Sequence, residues 1–197
     1  DILVLQRVFN RKIPFLNFFL KKELIYVPVL GLCWWALDFP FMTRTSKSQL
    51  KKNPKLRGKD LETTRKACEK FKEMPVSVVN FVEGTRFTAQ KHARQNSPFP
   101  HLLKPKAGGV AFVMQAMGEQ ISKVVNVTIH YPEGIPTFMD FAAGKVKHID
   151  VYVEVKGVSD DLIGDYTNDP DFRVRFQTEL NRVWEEKNQT LVNFKQK

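Results

Sequence analysis

A chain of 197 residues with 43% hydrophobic content is long enough for one domain with a sizeable core, and it holds no repeat or low-complexity tract. A formal charge of +10 calls for an anionic partner, a need that nucleic acid, an acidic membrane surface or a phosphorylated small molecule would each satisfy. The two cysteines, Cys33 and Cys68, lie far apart without metal-ligand spacing; they give no zinc site or disulfide framework and suit a reducing, cytosolic setting.

The chain opens on Asp1-Ile2-Leu3, with no initiator methionine or charged leader. Its first residues read as an apolar helix, so it reads as a piece of a longer protein. Residues 24–42 are apolar over nearly a membrane-spanning length, but Pro28, Gly31, Asp38 and Pro40 interrupt them, which predicts a buried or interfacial helix. Tyr26, Trp34 and Trp35, with Phe39 and Phe41, suit a membrane interface and equally an ordinary aromatic core. Residues 46–58 are polar and lysine-rich and read as a loop, and 59–73 have helical spacing that stops before Pro75.

An apolar strand from Val76 to Val82 then runs into Glu83-Gly84-Thr85-Arg86. The stretch with His92, Gln95, Pro98 and Pro100 is expected to be irregular. Lys104-Pro105-Lys106-Ala107-Gly108-Gly109 makes a second basic glycine turn, which leads into an apolar helix over 110–117. β-Branched runs at 124–130 and 145–155 predict strands, and Phe172, Phe176, Leu180 and Val183 predict a helix over 169–187. Strands alternating with helices imply an α/β fold, a layered mixed sheet flanked by helices.

The two glycine turns carry the chemistry. Glycine lets a backbone approach a ligand closely, and the arginine fork matches a phosphate bidentately. The plain alternative for Glu83 to Arg86 is a surface ion pair on a strand-to-loop turn. Two such turns on one sheet would converge on an anion: Arg86 on one, and Lys106 with Gly108 and Gly109 at a helix start, where phosphate is favoured, on the other. The scattered Lys51, Lys52, Lys55 and Lys59 read as a solvated face. No helix or strand interleaves basic residues with aromatics along one face, so nucleic acid is not an expected partner.

In these residues the chain resembles the phospholipid-glycerol acyltransferases typified by 1-acylglycerol-3-phosphate acyltransferase. That family has an H-x-x-x-x-D motif, a second block ending in arginine, a glutamate-glycine-threonine-arginine block, and a later apolar strand. Asp1 stands for the motif aspartate, Leu37-Asp38-Phe39-Pro40-Phe41-Met42-Thr43-Arg44 resembles the second block, Phe81 to Arg86 the third, and Val125 to Tyr131 the fourth. The resemblance covers residues 1 to about 132, and its third block is the most specific. Val82 replaces a usual proline, Asp38 a usual glycine and Asn126 another common proline. With Phe87-Thr88 and Lys91-His92, these choices resemble the branch holding lysocardiolipin-type enzymes and a bacterial inner-membrane acyltransferase.

The resemblance implies one acyltransferase domain over residues 1–197, working at the cytoplasmic face of a membrane, bacterial inner membrane included. It also implies an acyl thioester, acyl-CoA or acyl carrier protein, as co-substrate, with no cofactor and no metal. A lysophospholipid would be the acceptor, 1-acylglycerol 3-phosphate first among them, and an anionic membrane surface a partner. Nothing in the residues sets an oligomeric state. The motif histidine belongs five positions before Asp1, outside these residues, where it would take the hydroxyl proton while Asp1 orients its ring. Arg44 and Arg86, helped by Glu83, Gly84, Thr85, Lys106 and Gly108, would hold the acceptor phosphate. Five residues on from His92, His101, His130 and His148 stand Ser97, Lys106, Ile135 and Val153, so none recreates the motif and all four read as structural or surface histidines. The competing reading is a noncatalytic lipid-surface module.

Overall fold

The structure is a computed structural model that describes residues 1–18, 20–21, 25–37, 39, 41–42, 62 and 75–196. In chain order these form α1 (Ile2–Phe9), β1 (Leu16–Phe18), β2 (Leu20–Lys21), α2 (Leu30–Ala36), β3 (Phe41–Met42), β4 (Ser77–Val79), α3 (Ala89–Gln95), α4 (Ala107–Met117), β5 (Lys123–His130), α5 (Phe138–Ala142), β6 (Asp150–Gly157) and α6 (Pro170–Lys195). The loop expected at 46–58, the helix expected at 59–73 apart from Glu62, and Asp38, Arg44 and Cys68 lie outside the described residues. The chain divides into two compact units, Asp1–Phe81 with Gly108–Gln120, and Val82–Ala107 with Ile121–Lys197.

The first unit is mixed α/β. β1 runs parallel to β4 with Leu16 opposite Ser77, and β2 runs parallel to β3 with Leu20 opposite Phe41. α1 follows Asp1 and turns Val4 and Leu5 into the core. Leu16, Phe18, Leu20 and Phe39 join them, with Ala111, Val113, Met114 and Met117 from α4. The Phe18 ring stacks on Phe39 and on the exposed Phe81, and the buried Phe18 and Phe39 each contribute about 1.5–3 kcal/mol through area alone. Gly109 is needed where α4 starts, since a Cβ there would come within 3.0 Å of the Asn80 amide nitrogen.

The helix expected across 24–42 is shorter than predicted: among the described residues the α-helix there is Leu30–Ala36, and Phe41–Met42 is extended. Val29, at φ 62, stands directly before it in the left-handed region, so no helical run can continue back through that position. Among the described residues no helix is long and apolar enough to cross a membrane. Phe39 is core, while Tyr26, Val29, Leu32 and Trp35 are exposed.

In the second unit β5 and β6 pair antiparallel along their whole length, from Lys123 opposite Gly157 to His130 opposite Asp150. α6 packs on β5 and buries Phe172, Phe176, Trp184, Asn188 and Leu191. It runs to Lys195, past the predicted end at 187, because the apolar spacing continues through Leu191 and Phe194, whose ring stacks on His130. The region expected to be irregular contains α3, started by the Thr88 side chain accepting from Lys91 N–H and ended at Asn96 in the left-handed conformation. The strand expected from 145 begins instead at Asp150. Upstream, a Thr137 and Asp140 capping box forms α5, and Lys145 bonds back to Asp140 rather than joining the sheet. Pairing among the described residues thus lies in three two-stranded sheets.

Candidate active site

The turn after β4 is fixed at each of its residues. Gly84 has φ +66, a conformation that strains residues with a Cβ. A Cβ there would meet Lys106 Nζ at 3.2 Å and Cδ at 3.3 Å, so the Lys106 side chain lies across the glycine. Lys106 N–H donates to the Val82 carbonyl at 2.9 Å and so ties the start of the second glycine turn to the first. Glu83 Oε1 accepts from Leu103 N–H at 3.1 Å. Burial pushes the Glu83 carboxyl above the usual range, against the opposing pull of Leu103 N–H, Lys187 and Lys106. Thr85 Oγ1 accepts from Lys91 Nζ at 2.8 Å, and the same ammonium donates to the Arg86 carbonyl at 3.1 Å.

These bonds divide the work. Glu83 is engaged by a main-chain donor and braces the turn. Arg86 is exposed, and no described residue takes its guanidinium. A left-handed glycine crossed by Lys106, with Lys91 on the turn backbone and Arg86 beside it, gathers cationic donors for an anion, and forked guanidinium bonds to such a group are among the strongest neutral-pH contacts available.

The segment leading to Lys106 is anchored residue by residue. The His92 ring nitrogen Nε2 donates to the Phe99 carbonyl at 2.9 Å, and Ser97 Oγ donates to the Leu102 carbonyl at 2.7 Å. From α6, Asn188 Oδ1 accepts from His101 N–H at 3.1 Å, and Trp184 Nε1 donates to the Leu103 carbonyl at 3.1 Å. Leu103 has no exposed surface, and Glu83 and Trp184 hold its N–H and its C=O respectively. Leaving either buried group unsatisfied would cost about 1–3 kcal/mol.

Glu83, Gly84, Thr85, Arg86 and Lys106 therefore come together in the second unit. Gly108 belongs to the first unit, at the first turn of α4, where a Cβ would meet nothing within 4 Å. Asp1 also belongs to the first unit, and its carbonyl accepts from Leu5 N–H at 2.9 Å as α1 begins. Arg44 lies outside the described residues. The histidines have structural partners: His92 on Phe99, His101 beside Lys195, and His130 and His148 both on Asp150, at 3.0 Å and 2.9 Å. Among the described residues no cluster could hold a metal ion.

Two residues of the site escape sequence reading. Lys91 is signalled in the sequence only as part of the branch resemblance, and the Thr88 cap sets it in the first turn of α3, where it bonds back to Thr85. Lys187 donates to the Val127 carbonyl and to Thr128 Oγ1 at 3.3 Å, with its ammonium 5.7 Å from the Trp184 ring centre. Burial brings it down to about 8, against the opposing pull of Glu83 and Glu154.

Gly84→Ala is expected to lower stability by about 1–2 kcal/mol through the left-handed backbone alone, and to push Lys106 aside. Thermal unfolding with a phosphate titration reads both effects; an unchanged midpoint would show that the turn does not need its glycine.

The Acyltransferase family model matches residues 1–132, which include the whole Glu83 to Arg86 turn and Lys106. The chain is similar to 1-acyl-sn-glycerol-3-phosphate acyltransferase delta of Mus musculus, with 28% identity over 144 residues, 68% of this chain and 35% of that protein. It is also similar to 1-acyl-sn-glycerol-3-phosphate acyltransferase 3 of Arabidopsis thaliana, with 26% identity over 144 residues, and to the gamma enzyme of Pongo abelii, with 25%. The chain spans about a third of the length of these curated relatives, 35% in each case. No solved structure matches it. With the family match running from Asp1 through both glycine turns, the chain belongs to the acyltransferase family.

Proposed function

We propose that this chain carries the motif aspartate and the acceptor-binding turns of an enzyme that moves a fatty acyl group from an acyl thioester, acyl-CoA or acyl carrier protein, to the free hydroxyl of a lysophospholipid. The first acceptor is 1-acylglycerol 3-phosphate, and the product is phosphatidate. The observation that carries this reading is the left-handed Gly84 crossed by Lys106 inside the family-matched span. The names of the relatives support the acceptor. The reading includes a single catalytic domain over residues 1–197 and the layered mixed sheet implied by the family resemblance.

In this mechanism the motif histidine upstream of Asp1 takes the acceptor hydroxyl proton as the oxygen attacks the thioester carbonyl, and Asp1 holds the imidazole in its working tautomer. The tetrahedral adduct collapses, the carbon–sulfur bond breaks, and the departing sulfur takes the proton back from the imidazolium. An ester and a free thiol result, without a covalent enzyme intermediate. A positioned base of this kind contributes roughly 10²–10⁴ in rate. Arg86 and Lys106 hold the phosphate, so that binding energy fixes the reacting hydroxyl. Thr85 and Glu83 shape the turn. The test is thiol release from an acyl-CoA by the protein extended upstream through the motif histidine, which is expected to depend on added lysophosphatidate while residues 1–197 alone stay close to inactive; release without acceptor dependence, or none at all from the extended protein, would contradict the reading.

Membrane association belongs to the same proposal, since both substrates carry acyl chains. The exposed Tyr26, Leu32 and Trp35 support it from the first unit, and the net charge of +10 suits an anionic surface. The wide spacing of Cys33 and Cys68, without a disulfide pattern, suits its cytoplasmic face. In flotation, recovery on phosphatidylcholine vesicles is expected to rise when phosphatidylglycerol is included, with the increment lost at high salt and the apolar part retained. Equal recovery on both vesicles would assign the basic surface another role.

A further inference from the structure

The C-terminal helix lies beyond the family-matched residues 1–132, yet it reaches the acceptor site by a continuous chain of contacts. Glu83 holds Leu103 N–H, Trp184 holds Leu103 C=O, and Lys187, one helical turn on from Trp184, sets its ammonium 5.7 Å from that ring. The ammonium is fastened to the edge of β5 by the Val127 carbonyl and Thr128 Oγ1, and Thr128 is itself buried. Removing an ammonium from water costs several kcal/mol, which the bonds to Val127 and Thr128 offset in part.

We infer that Lys187 is a positioning residue for the acceptor site: its charge, fixed between α6 and β5, holds the half-buried Glu83 carboxylate in the ionised, Leu103-bound state that keeps the glycine turn in shape. Against the effect of burial, and after the Leu103 N–H, the charges of Lys187 and Lys106 both favour the ionised Glu83 carboxyl, and Glu83 and Glu154 in turn favour the charged Lys187. Lys106 lies across Gly84. Lys187 is fastened to β5, so its pull on Glu83 persists whether or not an anion occupies the turn. Were Glu83 to take a proton, the carboxyl would lose its charge-assisted hold on Leu103 N–H, and the turn carrying Arg86 would lose its brace.

This inference rests on the proposed acyl transfer for its kinetic readout but not for its structural one. In the full chain, Lys187→Met keeps the stem and removes the charge. Carbon NMR of the Glu83 carboxyl, followed against pH, is expected to show a higher titration midpoint in Lys187→Met than in wild type, with Lys106 present in both. An unchanged midpoint would overturn the inference, and the experiment needs no turnover, so it stands even if acyl transfer fails. In the thiol-release assay Lys187→Met is expected to raise the acceptor KM about tenfold, with Lys187→Arg restoring most of the loss. In a Glu83→Gln background the same substitution is expected to change nothing further; an equal loss in both backgrounds would mean that Lys187 acts through something other than Glu83. If Lys187→Met does not fold, Lys187→Gln takes its place in both experiments.

Discussion

Trp184→Ala is expected to lower the stability of this protein by about 3–5 kcal/mol, more than any substitution in the glycine turns. The indole is buried at the centre of α6, and its N–H is the donor to the Leu103 carbonyl, a group with no access to water. Alanine would leave a cavity and an unsatisfied carbonyl together. Trp184→Phe separates these two losses, since it keeps most of the ring and removes the donor, at an expected cost of about 1–3 kcal/mol. Chemical denaturation at fixed pH measures both variants. A loss below about 1 kcal/mol for the alanine variant would mean that α6 does not hold the segment leading to Lys106.

Arg86→Ala is expected to behave in the opposite way, leaving the unfolding midpoint untouched while lowering kcat/KM for lysophosphatidate about 10- to 100-fold. Arg86 is exposed and none of its described neighbours takes its guanidinium, so folding gains little from it. One or two charge-assisted bonds to a phosphate, at about 1.5–3 kcal/mol each, account for the kinetic loss. Arg86→Lys keeps the charge without the fork and should fall between. A folded Arg86→Ala protein with unchanged kinetics would remove this residue from the site.

How far the sequence reveals this arrangement depends on the range of the interactions involved. The Glu83 to Arg86 turn, α4, β5 and α6 are legible because each is written locally, as a glycine between charges, a β-branched run or a 3.6-residue apolar spacing. α3 and α5 are not, because neither shows a long periodic stripe; Thr88 and Thr137 declare them through caps, and a threonine before a polar stretch is easily read as loop. The division of labour within the turn is also out of reach. Nothing near Glu83 says that its carboxylate meets Leu103 N–H, twenty residues on. Lys187 is the extreme case, a lysine among the charged residues of α6 whose partners Val127 and Thr128 lie about sixty residues earlier. The one local hint is the spacing of Trp184, Asn188 and Leu191, which turns position 187 toward the buried side of the helix.

The most direct measurement compares two acceptors of the same acyl chain, lysophosphatidate and the phosphate-free monoacylglycerol, by thiol release from one acyl-CoA, in the protein extended upstream through the motif histidine, as wild type and as Arg86→Ala. An anion turn built on Arg86, Gly84 and Lys106 predicts that wild type prefers the phosphate-bearing acceptor about 10- to 100-fold in kcat/KM, and that Arg86→Ala loses most of that preference through the phosphate-bearing acceptor alone. Equal use of the two acceptors by wild type, or a preference that survives intact in Arg86→Ala, would contradict it.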